Sequence, residues 1–224
     1  MNKVLQKFLK GYAVLEEVAS PINDKIQVWE DWFGGKRLVV GGISQSGDLV
    51  EKVWKIGLRN LKTERPKNIL ILGLGAGSAA KLISQRWPGV KITGIEIDPE
   101  IISLGEKYFG LGEINNLEII TQDAISTVID QKSSTIYFDV ILVDLYLGDQ
   151  VPSETEGDKF LGKINKNLSP GGLVIFNRLY FGKYREKTDK FEEKLKKFFA
   201  EIEAKKVKTN KLFLCLNKGT NEAS

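Results

Sequence analysis

The chain is 224 residues long, 42% hydrophobic and 28% charged, with a net charge of +4. That length and balance describe one soluble globular domain with room for a small appendage. Histidine is absent and Cys215 is the one cysteine. This excludes Ser-His-Asp nucleophiles, imidazole and thiolate metal sites and an internal disulfide, so any catalytic proton falls to Asp, Glu, Tyr, Lys or solvent.

The opening MNKVLQKFLKGY is too short and too charged for a signal peptide or a membrane span, and reads as a short amphipathic helix. A cytoplasmic location is expected, and a lone cysteine in an apolar run fits a reducing compartment. Residues 13–18 (AVLEEV) and 25–33 (KIQVWEDWF) alternate apolar and polar, the period of half-buried strands. Gly34-Gly35 is a hairpin turn signal, and 37–40 is the returning strand. A small antiparallel sheet is therefore expected over 12–45, with Trp29, Trp32 and Phe33 in its core. A loop holding Gly41, Gly42 and Gln45 follows, then a helix over 49–61 capped by Asp48.

The stretch 67–99, KNILILGLGAGSAAKLISQRWPGVKITGIEIDP, is the most informative. Residues 68–72 form an apolar, β-branched run suited to a buried parallel strand. It runs into Gly73, Gly75 and Gly77; Ser78 then opens a helix that Pro88 and Gly89 end. A second strand, 91–95, delivers Glu96, followed by Ile97 and by Asp98 before Pro99, a helix-start signal. Glycines let backbone approach a ligand closely, and an acid at the second strand end can accept both ribose hydroxyl protons. Taken alone, the glycine loop could serve a dinucleotide, but Ser78 stands where that fingerprint has its third glycine.

A helix over 100–109 and a strand over 117–121 lead to Asp123 and Ala124. A short helix, 124–129, precedes a fourth strand, 138–143, that ends at Asp144. The loop after it carries Tyr146 and Asp149. Residues 155–168 are mostly helical, and a Ser-Pro-Gly-Gly turn at 169–172 enters a fifth strand, 173–177, ending at Asn177. Residues 187–205 place Phe191, Leu195, Phe198, Phe199 and Ile202 at helical spacing. An antiparallel pair, 206–209 and 211–217, closes the chain around a turn near Asn210. The Lys-rich segment 183–211 reads as a solvated face, so nucleic acid is not an expected partner.

The expected fold is α/β. A doubly wound, mostly parallel sheet carries a C-terminal antiparallel strand pair and is preceded by a small N-terminal antiparallel sheet. The division is 1–65 (helix, small sheet and linking helix), 66–218 (Rossmann-like ligand-binding domain) and 219–224 (tail). Gly73, Gly75, Gly77, Glu96, Asp123 and Asp144 all fall at strand carboxyl ends, on the rim where such sheets bind ligands.

These motifs resemble the class I S-adenosylmethionine-dependent methyltransferase fold, and within it the spermidine synthase (polyamine aminopropyltransferase) branch. The likeness covers about 12–180 and rests on ILILGLGAGS, GIEIDP, TQDA, FDVILVD, LSPGGLVIFN and the front segment RLVVGGISQSG. It implies S-adenosylmethionine, or its decarboxylated form, held by Gly73, Gly75, Gly77, Glu96, Ile97, Asp123, Ala124 and Asp144, with no metal. It implies Asp144 as the catalytic acid, Gln45, Tyr146 and Asp149 toward a small-molecule acceptor such as an amine, no membrane, and a possible homodimer. Departures are equally specific. The acid inside the family's G-G-G-D-G-G loop is Ala76 here, and GDLVEKVWKIGL lacks the family's Tyr-His-Glu-like residues. The expectation is therefore an alkyl transferase, of methyl in the first instance. Aminopropyl transfer is the alternative, and a non-catalytic module retaining the fold is a third reading.

Overall fold

The computed structural model describes residues 3–59, 61, 65–130, 136–148 and 150–217. The helix α1 (Lys3–Lys10) leads into β1 (Tyr12–Ser20), β2 (Asp24–Asp31), β3 (Lys36–Val40) and β4 (Ile43–Ser44), which pair antiparallel in that order. After α2 (Asp48–Arg59) come β5 (Asn68–Leu72), α3 (Ser78–Arg86), β6 (Lys91–Glu96), α4 (Pro99–Phe109), β7 (Leu117–Thr121), α5 (Ala124–Asp130) and β8 (Phe138–Val143). The chain ends with α6 (Asp158–Asn167), β9 (Leu168–Leu179), α7 (Tyr184–Leu195), β10 (Glu201–Val207) and β11 (Asn210–Leu216). The seven later strands form one sheet in the order β10-β11-β9-β8-β5-β6-β7, parallel except for β11, which runs against both its neighbours.

The sheet is buried on both faces because its central strands are apolar at consecutive positions. In β5, Ile69 and Ile71 pack on one side with Trp54, Ala80 and Ile83, from α2 and α3. Leu70 and Leu72 point to the other side, among Phe160, Phe176 and Leu195. A strand with two buried faces has this near-continuous apolar sequence, and helices must cover both. The chain winds from β5 to β6 and β7, then returns to place β8 on the opposite side of β5. The switch point thus lies between β5 and β8.

The small sheet docks on the same rim. Ile26, Val28, Leu38 and Val40 pack against Ala76, Ile101 and Leu104. Fully buried Asp98 pins the junction. Its Oδ1 caps α4 by accepting from the Glu100 N–H at 2.9 Å, while Oδ2 accepts from Ser20 Oγ at 2.5 Å and Asn23 Nδ2 at 2.7 Å. Asp98 is thus both cap and tie between the β1–β2 turn and the main sheet.

Two sequence expectations are corrected, and the turn expected near Asn210 is found beside it. The helix expected over 187–205 ends at Leu195, and 201–207 is the edge strand β10. Pairing with β11 along Ile202↔Cys215 and Ala204↔Phe213 outweighs the helical spacing of the apolar residues. Asn210 opens β11, and the turn is carried by Lys208, at φ 55°, and Thr209. Trp32 and Phe33 lie beyond the end of β2 on the hairpin tip, 52% and 98% exposed, and Trp29 instead stacks on Tyr12 at 3.8 Å. Among the described residues no helix is long and apolar enough to cross a membrane. The expected 219–224 tail lies outside the described residues.

Candidate functional site

A cavity of about 420 Å³ opens above the switch point. Its floor is the turn after β5, where Gly73, Gly75 and Gly77 have φ of 84°, 57° and 88°. Gly73 cannot be replaced without movement. A Cβ there would lie well inside van der Waals contact distance of the Asp144 carbonyl oxygen and 2.8 Å from its carbonyl carbon. That close approach is what lets β5 and β8 present their loops side by side. Gly77 is turned away from the cavity: a Cβ on it would meet Leu111 Cδ1 at 2.5 Å, so it seats the start of α3. Ala76 is also turned away, 3% exposed among Ile101, Leu104 and the small sheet.

Glu96, at the end of β6, is 7% exposed and held by three backbone N–H groups. Gly75 donates to Oε2 at 2.8 Å, and Ile97 and Asp98 donate to Oε1 at 3.0 and 3.1 Å. Burial raises its pKa above the ordinary carboxylate value, and the three N–H groups pull the other way. Asp123 caps α5, accepting from the Ile125 N–H at 3.0 Å and Ser126 Oγ at 2.6 Å, and it also lines the cavity with Ile97 and Ala124.

Asp144 follows β8 and faces the cavity, held by two side-chain donors. Its Oδ2 accepts from Trp54 Nε1 at 3.2 Å and its Oδ1 from Asn177 Nδ2 at 2.8 Å. Burial pushes its pKa up to about 6, opposed by those two hydrogen bonds and by the positive field of Arg178. A carboxylate has about four lone-pair sites, so acceptor capacity remains for a ligand. Tyr146 donates to the Asn177 carbonyl oxygen at 3.0 Å, and burial and the nearby Asp144 raise its phenol pKa. Behind this layer Arg178 is 1% exposed. It donates to the Asn177 carbonyl and to Thr155 Oγ1, both at 3.3 Å, and stacks on Phe191 at 4.3 Å; burial lowers its pKa.

Of the residues singled out from sequence, Gly73, Gly75, Glu96, Ile97, Asp123, Ala124, Asp144, Tyr146 and Gln45 line this one cavity, and Gly77 does not. Gln45 reaches across to the β8 loop, donating to the Gly148 carbonyl at 3.3 Å. Asp149 lies outside the described residues. Sequence reasoning missed Trp54, which α2 aims at Asp144, and Glu154, which also lines the cavity. The apolar face of α2 pointed to burial, but nothing in its spacing tied Trp54 to a strand end 90 residues away. The described lining residues include four carboxylates, Glu96, Asp123, Asp144 and Glu154, and no Lys or Arg. Such a wall favours a cation over an anion.

A β5–α3–β6 glycine turn, an acid closing the second strand and a reversed penultimate strand in a seven-stranded sheet define a protein of the class I methyltransferase architecture. The family model "Spermine/spermidine synthase domain" matches residues 51–212, and the chain belongs to that family. A probable polyamine aminopropyl transferase of Bifidobacterium longum is 32% identical over 114 residues, 51% of this chain and 24% of that protein. An eEF1A lysine and N-terminal methyltransferase homolog of Drosophila melanogaster is 30% identical over 122 residues, 52% of this chain and 18% of that protein. The match thus spans a quarter or less of these two relatives' length. Among solved structures, a spermidine synthase in complex with the transition-state analogue AdoDATO superposes with a TM-score of 0.73 at 18% identity, covering 91% of this chain and 73% of that one.

Proposed function

We propose that this chain is a spermidine-synthase-like transferase that binds S-adenosylmethionine and transfers its methyl group to a small-molecule nucleophile. One observation carries the choice of methyl. The glycine-turn wall of the cavity is Gly73, Leu74, Gly75, Ser78 and Ala79, with no carboxylate, and position 76 is packed into an apolar seam. The methionine carboxylate of S-adenosylmethionine meets no like charge there. Both ligands carry the same ammonium; in S-adenosylmethionine the adjoining carboxylate balances it, whereas the decarboxylated ligand would present it alone to a wall with no counter-charge. Glu96 suits the ribose hydroxyls, and Asp123, Ala124 and Ile97 suit the adenine edge.

In the transfer, the acceptor's lone pair attacks the methyl carbon in line with sulfur. The C–S bond breaks, its electron pair returns to sulfur, and the neutral thioether leaves. Positioning and electrostatics supply most of the rate, because a sulfonium is already a good leaving group. When the acceptor is an amine, Asp144 offsets the charge growing on nitrogen and can take the released proton, its pKa of about 6 lying close to neutrality.

The four carboxylates of the cavity support a second reading, aminopropyl transfer to an amine, in which Asp144 and Glu154 hold the cationic groups. Calorimetric titration with S-adenosylmethionine, its decarboxylated form and methylthioadenosine tests both. Tighter binding of S-adenosylmethionine is the expected result. A preference for the decarboxylated form refutes the methyl assignment, and no sub-millimolar binding of any of the three refutes both transferase readings.

A further inference from the structure

Asp144 is not oriented by its own loop alone. Asn177 Nδ2 donates to Asp144 Oδ1 at 2.8 Å, and Asn210 Nδ2 in turn donates to Asn177 Oδ1 at 2.8 Å. Thr209 Oγ1 donates to Asn210 Oδ1 at 3.2 Å. Each donor in this row points toward the cavity, and the row ends on a group that, when ionised, only accepts.

The strand pairing explains why these side chains meet. In the β9–β11 ladder Asn177 is opposite Leu212 and Asn210 is opposite Leu179. Asn177 and Asn210 are therefore diagonal neighbours on one face of the sheet, within reach of each other's amides. Both are buried, at 5% and 9% exposure, so water does not readily replace either partner. An amide has a donor end and an acceptor end of nearly equal size, and a half-turn about its last bond exchanges them.

We infer that Asn210 is a positioning residue for the reactive carboxylate: by donating to Asn177 Oδ1, it fixes the end of the Asn177 amide that faces Asp144. With the donor present, Asn177 offers N–H to Asp144 and supports its ionised form. With the amide reversed, Asn177 offers an oxygen, which repels the carboxylate and favours the protonated form. β11, the strand that runs against the rest of the sheet, thereby sets the proton affinity of a group on the β8 loop that it does not touch. Among the described residues, the titratable or charged groups that act on Asp144 are Arg178 on β9 and Tyr146 on its own loop, while α2 contributes the neutral Trp54 indole. Lys211, next to Asn210, ion-pairs with Asp189 and Glu192 instead.

The inference rests on the reading of Asp144 as the reactive group, and its test is made on the full chain without ligand, so it fails or stands independently of transferase activity. The probe is the indole N–H resonance of Trp54, which donates to Asp144 Oδ2 and is assigned by its loss in Trp54→Phe. In the parent protein this resonance should titrate with a midpoint near pH 6. Asn210→Leu removes the donor without adding charge, and the midpoint should rise by about half a unit as the amide is freed to turn. Asn210→Asp reverses the polarity of the contact, and the rise should be about one unit or more. A midpoint unmoved in Asn210→Leu overturns the inference, because the added charge alone would then account for Asn210→Asp. A Trp54 resonance that does not titrate between pH 4.5 and 8 in the parent overturns it as well. Should Asn210→Leu fail to fold, Asn210→Ser, whose hydroxyl is too short to reach Asn177, reads the same quantity with the same expected rise and the same refuting result.

Discussion

Replacing Asp144 by Asn should change stability in a pH-dependent way. The carboxyl is raised from 3.8 to about 6 in the folded protein. Below 3.8 both folded and unfolded chains hold the proton, and above about 6 neither does. Between those values the folded chain keeps a proton that the unfolded chain has released, so parent stability falls as pH rises through the window. The shift, taken whole, is worth about 3 kcal/mol. Asp144 faces a cavity open to water, and screening leaves about half of that, roughly 1.5 kcal/mol. The amide removes this penalty but keeps one acceptor where two donors converge, costing about 1 kcal/mol at every pH. Asp144→Asn should therefore be about as stable as the parent at pH 8 and less stable by about 1 kcal/mol at pH 4, where the parent carboxyl is already protonated. Urea melts at the two pH values measure the difference directly. An equal loss at both would show that Asp144 is not held against its ionised form, and would remove the physical basis for giving it the proton-accepting role.

Other perturbations follow from named contacts. Glu96→Ala should weaken S-adenosylhomocysteine binding by about tenfold to a hundredfold in calorimetry, since it removes a charged hydrogen-bond partner. Unchanged affinity would take Glu96 out of the site. Gly73→Ala forces a side chain onto a backbone at φ 84° and into the Asp144 carbonyl. A loss of about 2 kcal/mol or more in denaturant melts is expected, with ligand affinity falling as the two loops separate. Ala76→Asp buries a carboxylate among Ile101, Leu104 and Val40. It should cost about 3 kcal/mol in the same melts without shifting binding preference toward decarboxylated S-adenosylmethionine, and a shifted preference would show that position 76 does reach the ligand.

The centre of the main sheet was legible because β5, β6 and β8 are largely buried on both faces and run into a glycine or an acid, Gly73, Glu96 and Asp144. The order of β5 to β9 and the rim holding Glu96, Asp123 and Asp144 follow from that pattern together with right-handed crossovers. The C-terminal third was less legible for a physical reason. Residues from Phe191 to Ile202 keep helical spacing across the break at Leu195, and β10 is an edge strand whose free side is filled with Glu and Lys. Its identity as a strand comes from β11, not from its own composition. The hydrophobicity of Trp32 and Phe33 suggested core, yet a hairpin tip exposes whatever residues it carries. Trp54 and Asn210 were invisible as site residues because each reaches Asp144 or its partner only through tertiary pairing, across 90 and 33 residues of sequence.

Ala76 shows how structure changes the meaning of a substitution that sequence already singles out. Read as a motif, Ala76 is a missing acid in a ligand loop. In the fold it is a closed position in the seam where Ile26, Val28, Leu38 and Val40 meet α4. Gly105 packs against it closely enough that a Cβ on Gly105 would lie 3.2 Å from the Ala76 Cα. An ionised side chain there would have to break that seam or stay unpaired within it, either of which costs several times the worth of a surface ion pair. The departure is therefore a packing commitment that joins the small sheet to the main one, and restoring the acid alone cannot restore the family's loop chemistry. The carboxylates of the cavity lining stand outside position 76, among them Asp144, beside Gly73 and held by Trp54 and Asn177, and Glu154.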